Sequence, residues 1–337
     1  MINLILDKLL EGINLSIIES TDTADLIMNG KVNNSQIAAL LTAMKIKGET
    51  PEEIAGFAMA MRNNGIKISS SDLNTIDVCG TGGDNSGSFN ISTAVAFVVA
   101  GAGVRVAKHG NRSITSKSGS SDVLSDLGVK IDLSPEKAEQ ALDEIGITFL
   151  FAPIYHPAMK NVAPVRVELK FKTIFNVLGP LTNPANTTKQ MIGTYNYNIA
   201  EKMVKASKLL GMENVTFVCT NDQYDEITLA NTSRLISMKD SEVITEEIDA
   251  STFGYKNVNL KEIIGSTPNE NSKIILRLFS NPERNAHFNV VAANAAVALC
   301  TTGNYDNLEA AKIAAEDSIL SGKALVKLKE LIAFGKS

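Results

Sequence analysis

Residues 79–93 read CGTGGDNSGSFNIST, a stretch that places four glycines between two apolar segments. The first segment, at residues 76–78, is typical of a buried strand, and the second, which runs on to Ala100, is typical of a buried helix. Glycine weakens both kinds of element, so such a loop is expected where the chain turns tightly or where its backbone approaches a ligand. Between a strand and a helix, the loop N–H groups and the helix N-terminus can converge on an anion. The stretch therefore predicts a phosphate-binding loop in an α/β fold.

The loop does not match the two most common phosphate-binding glycine motifs. A P-loop would need a lysine where this chain has Ser88, and the dinucleotide-binding fingerprint would need Gly or Ala in place of Asn85. What remains is a loop rich in hydroxyl side chains. Because the carboxylate of Asp84 repels phosphate, we expect a cation or a sugar hydroxyl to lie between the two. A glycine-rich turn followed by an ordinary helix cap at Asn90 or Ser92 is the alternative interpretation.

Composition limits the class of ligand. The chain has 337 residues, of which 44% are hydrophobic and 20% charged, and this predicts a globular protein of two domains. The formal net charge of -5 gives no overall basic field, so neither nucleic acid nor a membrane is an expected partner. The cysteines are few and widely spaced, at Cys79, Cys219 and Cys300, which favours a reducing, cytoplasmic location over a disulfide framework or a zinc site.

The secondary-structure pattern changes after the first 65 residues. Up to that point we predict helices alone, starting at Met1, near Thr23, after Asn34 and at Pro51, where Thr50 is the expected N-cap. Strands are then predicted at 76–79, 104–107, 129–131, 147–151, 190–194 and 215–219. Helices are predicted at 92–100, 121–127, 135–145, 286–300, 308–320 and 323–333. Alternation of this kind predicts a mostly parallel central sheet flanked by helices.

Polar side chains follow two further strands of this predicted sheet. Lys108, His109, Asn111 and Arg112 come after one strand, and the adjacent Asp225 and Glu226 come after another. The carboxyl ends of parallel strands share one edge, so these residues and the glycine loop are expected to face one crevice. Basic side chains suit a phosphate or pyrophosphate, and a pair of carboxylates suits Mg²⁺. Taken singly, each of these loops could also be an ordinary solvated surface loop.

Several ordered motifs together resemble the anthranilate phosphoribosyltransferase family. They are GTGGD at 80–84, FNIST at 89–93, KHGNR at 108–112, SKSGSSDVL at 116–124, YHPAMKNVAPVR at 155–166 and FNVLGPLTNPA at 175–185. The resemblance spans nearly the whole chain. It implies an α/β fold of the nucleoside phosphorylase and phosphoribosyltransferase type, with a small all-helical N-terminal domain at 1–70, joined by part of 160–190, and a larger α/β domain at 71–337. It also implies a homodimer formed through the helical domain.

The resemblance implies transfer of a phosphoribosyl group from phosphoribosyl pyrophosphate to the amine of anthranilate, with two Mg²⁺ ions per monomer. The implied ligands of the metal are Ser92, Asp225 and Glu226. Anthranilate would contact Gly80, Asn111 and Arg166, with His156 near the aromatic ring. The residues implied to bind phosphoribosyl pyrophosphate are Gly80, Gly83, Asp84, Ser88, Asn90, Ile91, Ser92, Thr93, Lys108, His109, Gly110, Asn111, Arg112, Ser113, Ile114, Thr115, Ser116 and Ser120.

This sequence departs from the family pattern at two places. Ser88 stands where the family more often has threonine, and it keeps the hydroxyl. The acidic motif carries Gln223 and Tyr224 where the family tends to have glycine shortly before the Asp-Glu pair, so the path of residues 221–226 stays open.

The implied chemistry needs charge stabilisation more than proton transfer. Substitution at the ribose carbon has oxocarbenium character, and Lys108 together with the metal would stabilise the departing pyrophosphate. The amine of anthranilate attacks as a neutral group, and the sequence offers no evident general base. A pyrimidine nucleoside phosphorylase and a non-catalytic nucleic-acid-binding relative of the same fold are the alternatives.

Overall fold

The computed structural model describes residues 2–69, 74–84, 86–112 and 118–336. Four helices come first: α1 (Ile2–Leu10), α2 (Ile17–Met28), α3 (Asn34–Lys47) and α4 (Pro51–Asn63). The predicted cap of α4 is confirmed, because the Thr50 and Glu53 side chains form a reciprocal capping box. The predicted start of α2 near Thr23 is wrong. That helix begins at Ile17, where Ser16 and Glu19 form the same kind of capping box.

A single seven-stranded sheet forms the centre of the rest of the described chain, in the order β3-β2-β1-β4-β5-β6-β7. The strands are β1 (Thr75–Gly80), β2 (Arg105–Gly110), β3 (Ile147–Phe151), β4 (Lys189–Gly193), β5 (Asn214–Thr220), β6 (Ser233–Lys239) and β7 (Glu242–Ile248). The first five strands pair in parallel, as the sequence predicts, whereas β6 and β7 add an antiparallel edge. Asp240 and Ser241 make the β6–β7 turn with positive φ angles.

Helices cover both faces of the sheet. They are α5 (Ile91–Gly101), α6 (Ser120–Asp126), α7 (Pro135–Ile145), α8 (Ala152–Tyr155), α9 (Ala163–Leu169), α10 (Phe175–Leu178), α11 (Tyr197–Leu209), α12 (Pro268–Ser280), α13 (Ala286–Thr301), α14 (Leu308–Leu320) and α15 (Lys323–Phe334). No helix among the described residues is long and apolar enough to cross a membrane.

Two sequence predictions for the sheet need correction. No strand forms at 129–131, since the Val129 N–H bonds back to the carbonyl of Leu124 at the end of α6 while its side chain is buried. Strand β2 does not end at Ala107. It continues to Gly110, so Lys108 and His109 lie inside the strand and point to opposite faces of the sheet.

Two apolar clusters lie on opposite faces of the sheet. The first surrounds α5 and α13, which are buried on all sides, and includes Met191 and Val218. The second cluster joins the N-terminal helices to α11 and to residues 162–181. It includes Ile192, which follows Met191 in β4, and Phe217, which precedes Val218 in β5. The segment 162–181 therefore packs with the N-terminal helices. The division of the chain into domains at residue 70 falls outside the described residues and stays a prediction.

Candidate functional site

The glycine loop between β1 and α5 uses its glycines for two different reasons. Gly82, Gly83 and Gly87 have φ angles of 66°, 75° and 65°, in the left-handed region that favours glycine. Gly80 is needed for space, because a Cβ there would lie 2.8 Å from Oδ2 of Asp225. The tight turn expected from the sequence is thus present, and the close approach at Gly80 is to Asp225 of the protein itself.

The acidic loop after β5 lies directly against the glycine loop. The N–H of Gly82 donates to Oδ2 of Asp225 at 3.0 Å, and the N–H of Ser92 donates to Oε1 of Glu226 at 3.2 Å. A Cβ at Gly193, the last residue of β4, would overlap the carbonyl oxygen of Asp225. Glycine at position 193 therefore allows the acidic loop to cross the strand end, a role that the sequence analysis did not identify.

Burial and mutual repulsion make these carboxylates unusually basic. Burial, together with the charge of Asp84, raises the pKa of Asp225 to about 8. Burial and the charge of Asp225 likewise raise the pKa of Glu226 well above its usual value. A cation bound beside these carboxylates would offset their charge and favour their ionised forms.

The donor set fits Mg²⁺ that is bound partly through a substrate. In the described part of the chain, no three histidine, cysteine or carboxylate side chains converge as a complete metal centre. Mg²⁺ commonly takes one or two carboxylates and fills its remaining positions with water and substrate phosphate oxygens. The ligands predicted from the sequence, Asp225, Glu226 and the hydroxyl of Ser92, supply protein oxygens here, and the carboxylate of Asp84 lies close enough to act on Asp225.

Lys108 is drawn into the same group from strand β2. Its side chain is buried, and Nζ donates to the carbonyl of Val78 at 2.6 Å and to Oγ of Ser92 at 3.3 Å. The charge of Lys108 opposes the rise in the pKa of Glu226. The structure therefore brings Lys108 to the start of α5, beside the predicted metal ligands.

His109 faces the opposite side of the sheet and meets His156 there. The two ring centroids are 5.2 Å apart, and Nδ1 of His109 lies 3.1 Å from the carbonyl oxygen of Gly179. Burial is the main cause that lowers the pKa of His109 to about 3 and that of His156 to about 4. Both imidazoles are therefore neutral at physiological pH.

This neutral histidine pair predicts a loss of stability in acid. A histidine whose folded pKa lies below its unfolded value of about 6.5 stabilises the fold above that pH, and the contribution is lost as the pH falls toward the folded pKa. At pH 5 the contribution lost is about 2 kcal/mol per buried histidine, at about 1.4 kcal/mol per pH unit. Urea unfolding at pH 7 and pH 5 should therefore show a smaller decrease in His156→Gln than in the unsubstituted protein. Parallel pH profiles for the two proteins would contradict this.

The other residues predicted to bind phosphoribosyl pyrophosphate are held by hydrogen bonds around the start of α5. The Asn90 side chain exchanges hydrogen bonds with Ser118 and accepts one from Asn271 at 2.8 Å. The Ile91 and Thr93 side chains are fully buried, so they offer a ligand their backbone more readily than their side chains. Further contacts of predicted residues join Ser86 to Ser88, Ser86 to Asp84, Ser120 to Asn111, and Arg112 to Asp122. The predicted residues Ser113, Ile114, Thr115 and Ser116 lie outside the described residues.

Arg166 lies on α9. It is far from the acidic loop in the sequence but only six residues before Lys172, which contacts the glycine loop. Arg166 is half-buried, and its guanidinium lies over the ring of Phe175, with 5.7 Å between Cζ and the ring centroid. Burial lowers its pKa. Among the described residues no carboxylate pairs with it, so an anionic ligand would supply the missing charge.

The glycine loop gives a prediction that separates ligand binding from folding. In Gly83→Val, the new Cβ would meet Cε of Lys172 at 2.9 Å. We expect the Michaelis constant for phosphoribosyl pyrophosphate, the donor that the resemblance implies, to rise by about tenfold or more, the equivalent of about 1.4 kcal/mol. The matched control is Gly87→Val, which has the same positive φ but open space around the new Cβ. Both variants should lose about 1–2 kcal/mol of stability through backbone strain. Equal Michaelis constants in steady-state assays of the two variants would show that the loop is only a turn.

Two family models match the chain. The glycosyl transferase family helical bundle domain matches residues 3–65, and the glycosyl transferase family a/b domain matches residues 72–325. The anthranilate phosphoribosyltransferase of Acetivibrio thermocellus is 44% identical over 337 residues, which cover 100% of this chain and 97% of the relative.

Solved structures show the same similarity over the whole fold. The crystal structure of anthranilate phosphoribosyltransferase from Thermus thermophilus has a TM-score of 0.94 at 34% identity, covering 99% of both chains. The solved structure of anthranilate phosphoribosyltransferase from Saccharomyces cerevisiae in complex with PRPP and Mg has a TM-score of 0.90 at 26% identity, covering 99% of this chain and 98% of the yeast chain.

Proposed function

This chain belongs to the anthranilate phosphoribosyltransferase family, and on that basis we propose that it transfers the phosphoribosyl group of phosphoribosyl pyrophosphate to the amine of anthranilate. The products are phosphoribosyl anthranilate and pyrophosphate, in a step of tryptophan biosynthesis. One observation carries the proposal. The glycine loop and the acidic loop meet at one edge of the sheet, where Gly82 and Ser92 donate to Asp225 and Glu226.

The donor is proposed to bind at this edge, over the start of α5. The helix N-terminus and the loop N–H groups favour the negative charge of pyrophosphate. Mg²⁺ would be held by Ser92, Asp225 and Glu226, and we propose two ions per subunit. When bound, Mg²⁺ would offset the charge that develops on pyrophosphate as it leaves. Lys108 is held beside Ser92 by the carbonyl of Val78 and adds a fixed positive charge at the same place.

The acceptor, anthranilate, is proposed to bind between the glycine loop and α9. Arg166 would pair with the anthranilate carboxylate, because the planar fork of a half-buried guanidinium favours a bidentate anion. The amine needs no prior deprotonation, so orienting it toward the ribose carbon is the main task of the site. His156 and Asn111 are proposed to contact the acceptor as well. With a pKa of about 4, His156 would do so as a neutral ring.

We also propose a homodimer that forms through the N-terminal helices. Large apolar side chains are exposed on four helices of this region, and α3 packs against both α1 and α9. These exposed side chains are Leu4, Leu10, Ile18, Ile46 and Val167. Exposed apolar residues that share one region are typical of a subunit interface. A cytoplasmic location is proposed too, and it fits the three cysteines, which are all free thiols.

A fluorescence assay tests the proposed function. Anthranilate is fluorescent, and its signal should fall when phosphoribosyl pyrophosphate and Mg²⁺ are added together, but not when a chelator is present. The alternative activity, cleavage of uridine or thymidine by inorganic phosphate, should be absent in the same preparation. Phosphorolysis without anthranilate consumption would replace the proposal with a nucleoside phosphorylase.

A further inference from the structure

Lys172 joins the segment that carries Arg166 to the glycine loop. It follows α9 by three residues, and its Nζ donates to the carbonyl of Gly83 at 2.7 Å. The same nitrogen lies 3.2 Å from the centroid of the Tyr195 ring, just beyond the end of β4. Gly83 itself leaves the space for this contact, because a Cβ would lie 3.1 Å from Nζ.

The glycine loop depends on such outside contacts for its shape. Glycines at positive φ have many accessible conformations and bring no side chains of their own to hold the turn. The first part of the loop is held from β4 and the acidic loop, where Thr81 N–H donates to the carbonyl of Gly193 and Gly82 N–H donates to Asp225. Lys172 holds the carbonyl of Gly83, the next residue along the chain. A hydrogen bond from a charged donor is stronger than one between neutral groups.

We propose that Lys172 is a positioning residue of the transfer reaction. Its hydrogen bond to the Gly83 carbonyl fixes the turn that carries Asp84 in the conformation that binds the phosphoribosyl donor. This inference rests on the proposed function. Lys172 acts through the loop, so its effect should fall on the donor more than on the acceptor.

The Lys172 ammonium also lies within the field of the acidic side chains. The negative charges of Asp225 and Asp84 both act on Lys172 and oppose the effect of burial on its pKa. A divalent cation arriving beside Asp225 is therefore repelled by a positive charge already present. Removing this charge should strengthen the binding of a divalent cation in the absence of the donor.

Three full-length variants test the proposal. Lys172→Met keeps the length of the side chain and removes the charge, Lys172→Arg keeps the charge, and Lys170→Met is a control at an exposed lysine of the same segment. Hydrogen exchange of residues 79–84, measured by mass spectrometry, should be faster in Lys172→Met alone. Exchange in α13 should be unchanged, as a control for global folding. Mn²⁺ binding without donor, measured by electron paramagnetic resonance, should be tighter in Lys172→Met than in the arginine variant.

Kinetics complete the test. In Lys172→Met the Michaelis constant for phosphoribosyl pyrophosphate should rise about tenfold, the equivalent of about 1.4 kcal/mol, while that for anthranilate stays the same. Lys172→Arg should restore most of the loss. Unchanged loop exchange, or equal losses for both substrates, overturns the proposal. If the unsubstituted protein does not consume anthranilate, the proposed function fails, yet loop exchange and Mn²⁺ binding still decide the role of Lys172.

Discussion

The double variant Asp225→Asn and Glu226→Gln, in which both carboxylates become amides, is expected to lose nearly all turnover while the protein stays folded. A bound metal contributes several kcal/mol to charge stabilisation in a transition state. At about 1.4 kcal/mol per tenfold, we expect kcat to fall by about a thousandfold or more. Stability should be kept or should increase. The raised pKa values of both groups mean that their ionised forms weaken the fold, and neutral amides remove that repulsion.

The measurements are kcat at saturating and at limiting Mg²⁺, together with the thermal midpoint of unfolding. The matched control is Asp240→Asn with Glu242→Gln, an exposed acidic pair around the β6–β7 turn that undergoes the same change in charge. The control should behave like the unsubstituted protein. Near-normal turnover of the double variant at limiting Mg²⁺ would show that Asp225 and Glu226 do not bind the metal.

Local sequence signals predicted the elements that local contacts determine. The start of α4 follows from its capping box, and the parallel order of the main strands follows from the alternation of strands and helices. The start of α2 carried the same Ser-x-x-Glu signal at Ser16, and the predicted start at Thr23 overlooked it. The strand expected at 129–131 shows the limit of this reasoning, because a short alternation such as Val-Lys-Ile can bury its apolar side chains equally well in a loop.

The sequence placed the two loops of the site together for a topological reason. Parallel strands bring their carboxyl ends to one edge, and this is why Gly82 and Asp225 meet although they lie far apart in the chain. The side-chain directions around Lys108 and His109 were harder to predict. They depend on how far β2 continues, and a run of polar residues looks like the end of a strand.

Contacts that do not follow from the order of the strands left no signal in the sequence. Lys172 and Gly83 are 89 positions apart, and nothing in their local patterns indicates that they meet. The same is true of Gly193, whose missing side chain matters only because the carbonyl of Asp225 crosses it. Such residues are found from the structure, since their role depends on what is packed against them.

Arg166→Ala is expected to weaken recognition of the acceptor and to leave recognition of the donor almost unchanged. Hydrogen bonds to charged groups contribute about 1.5–3 kcal/mol, and a guanidinium can bind a carboxylate through two of them. At about 1.4 kcal/mol per tenfold, the Michaelis constant for anthranilate should rise by about one to two orders of magnitude. The donor is bound by other elements, so its constant should change little. Steady-state kinetics with each substrate varied in turn measures both constants.

The control for Arg166 must separate a lost carboxylate contact from a disturbed helix. Arg166 also packs on Phe175, so the truncation removes apolar contact as well as charge. Arg166→Met retains much of that packing, and it should show the same increase in the anthranilate constant as Arg166→Ala. Lys170→Ala changes an exposed cation on the same segment and should show none. If Arg166→Met binds anthranilate normally, or if both substrates are affected equally, the guanidinium supports the packing of α9, and the acceptor carboxylate binds elsewhere.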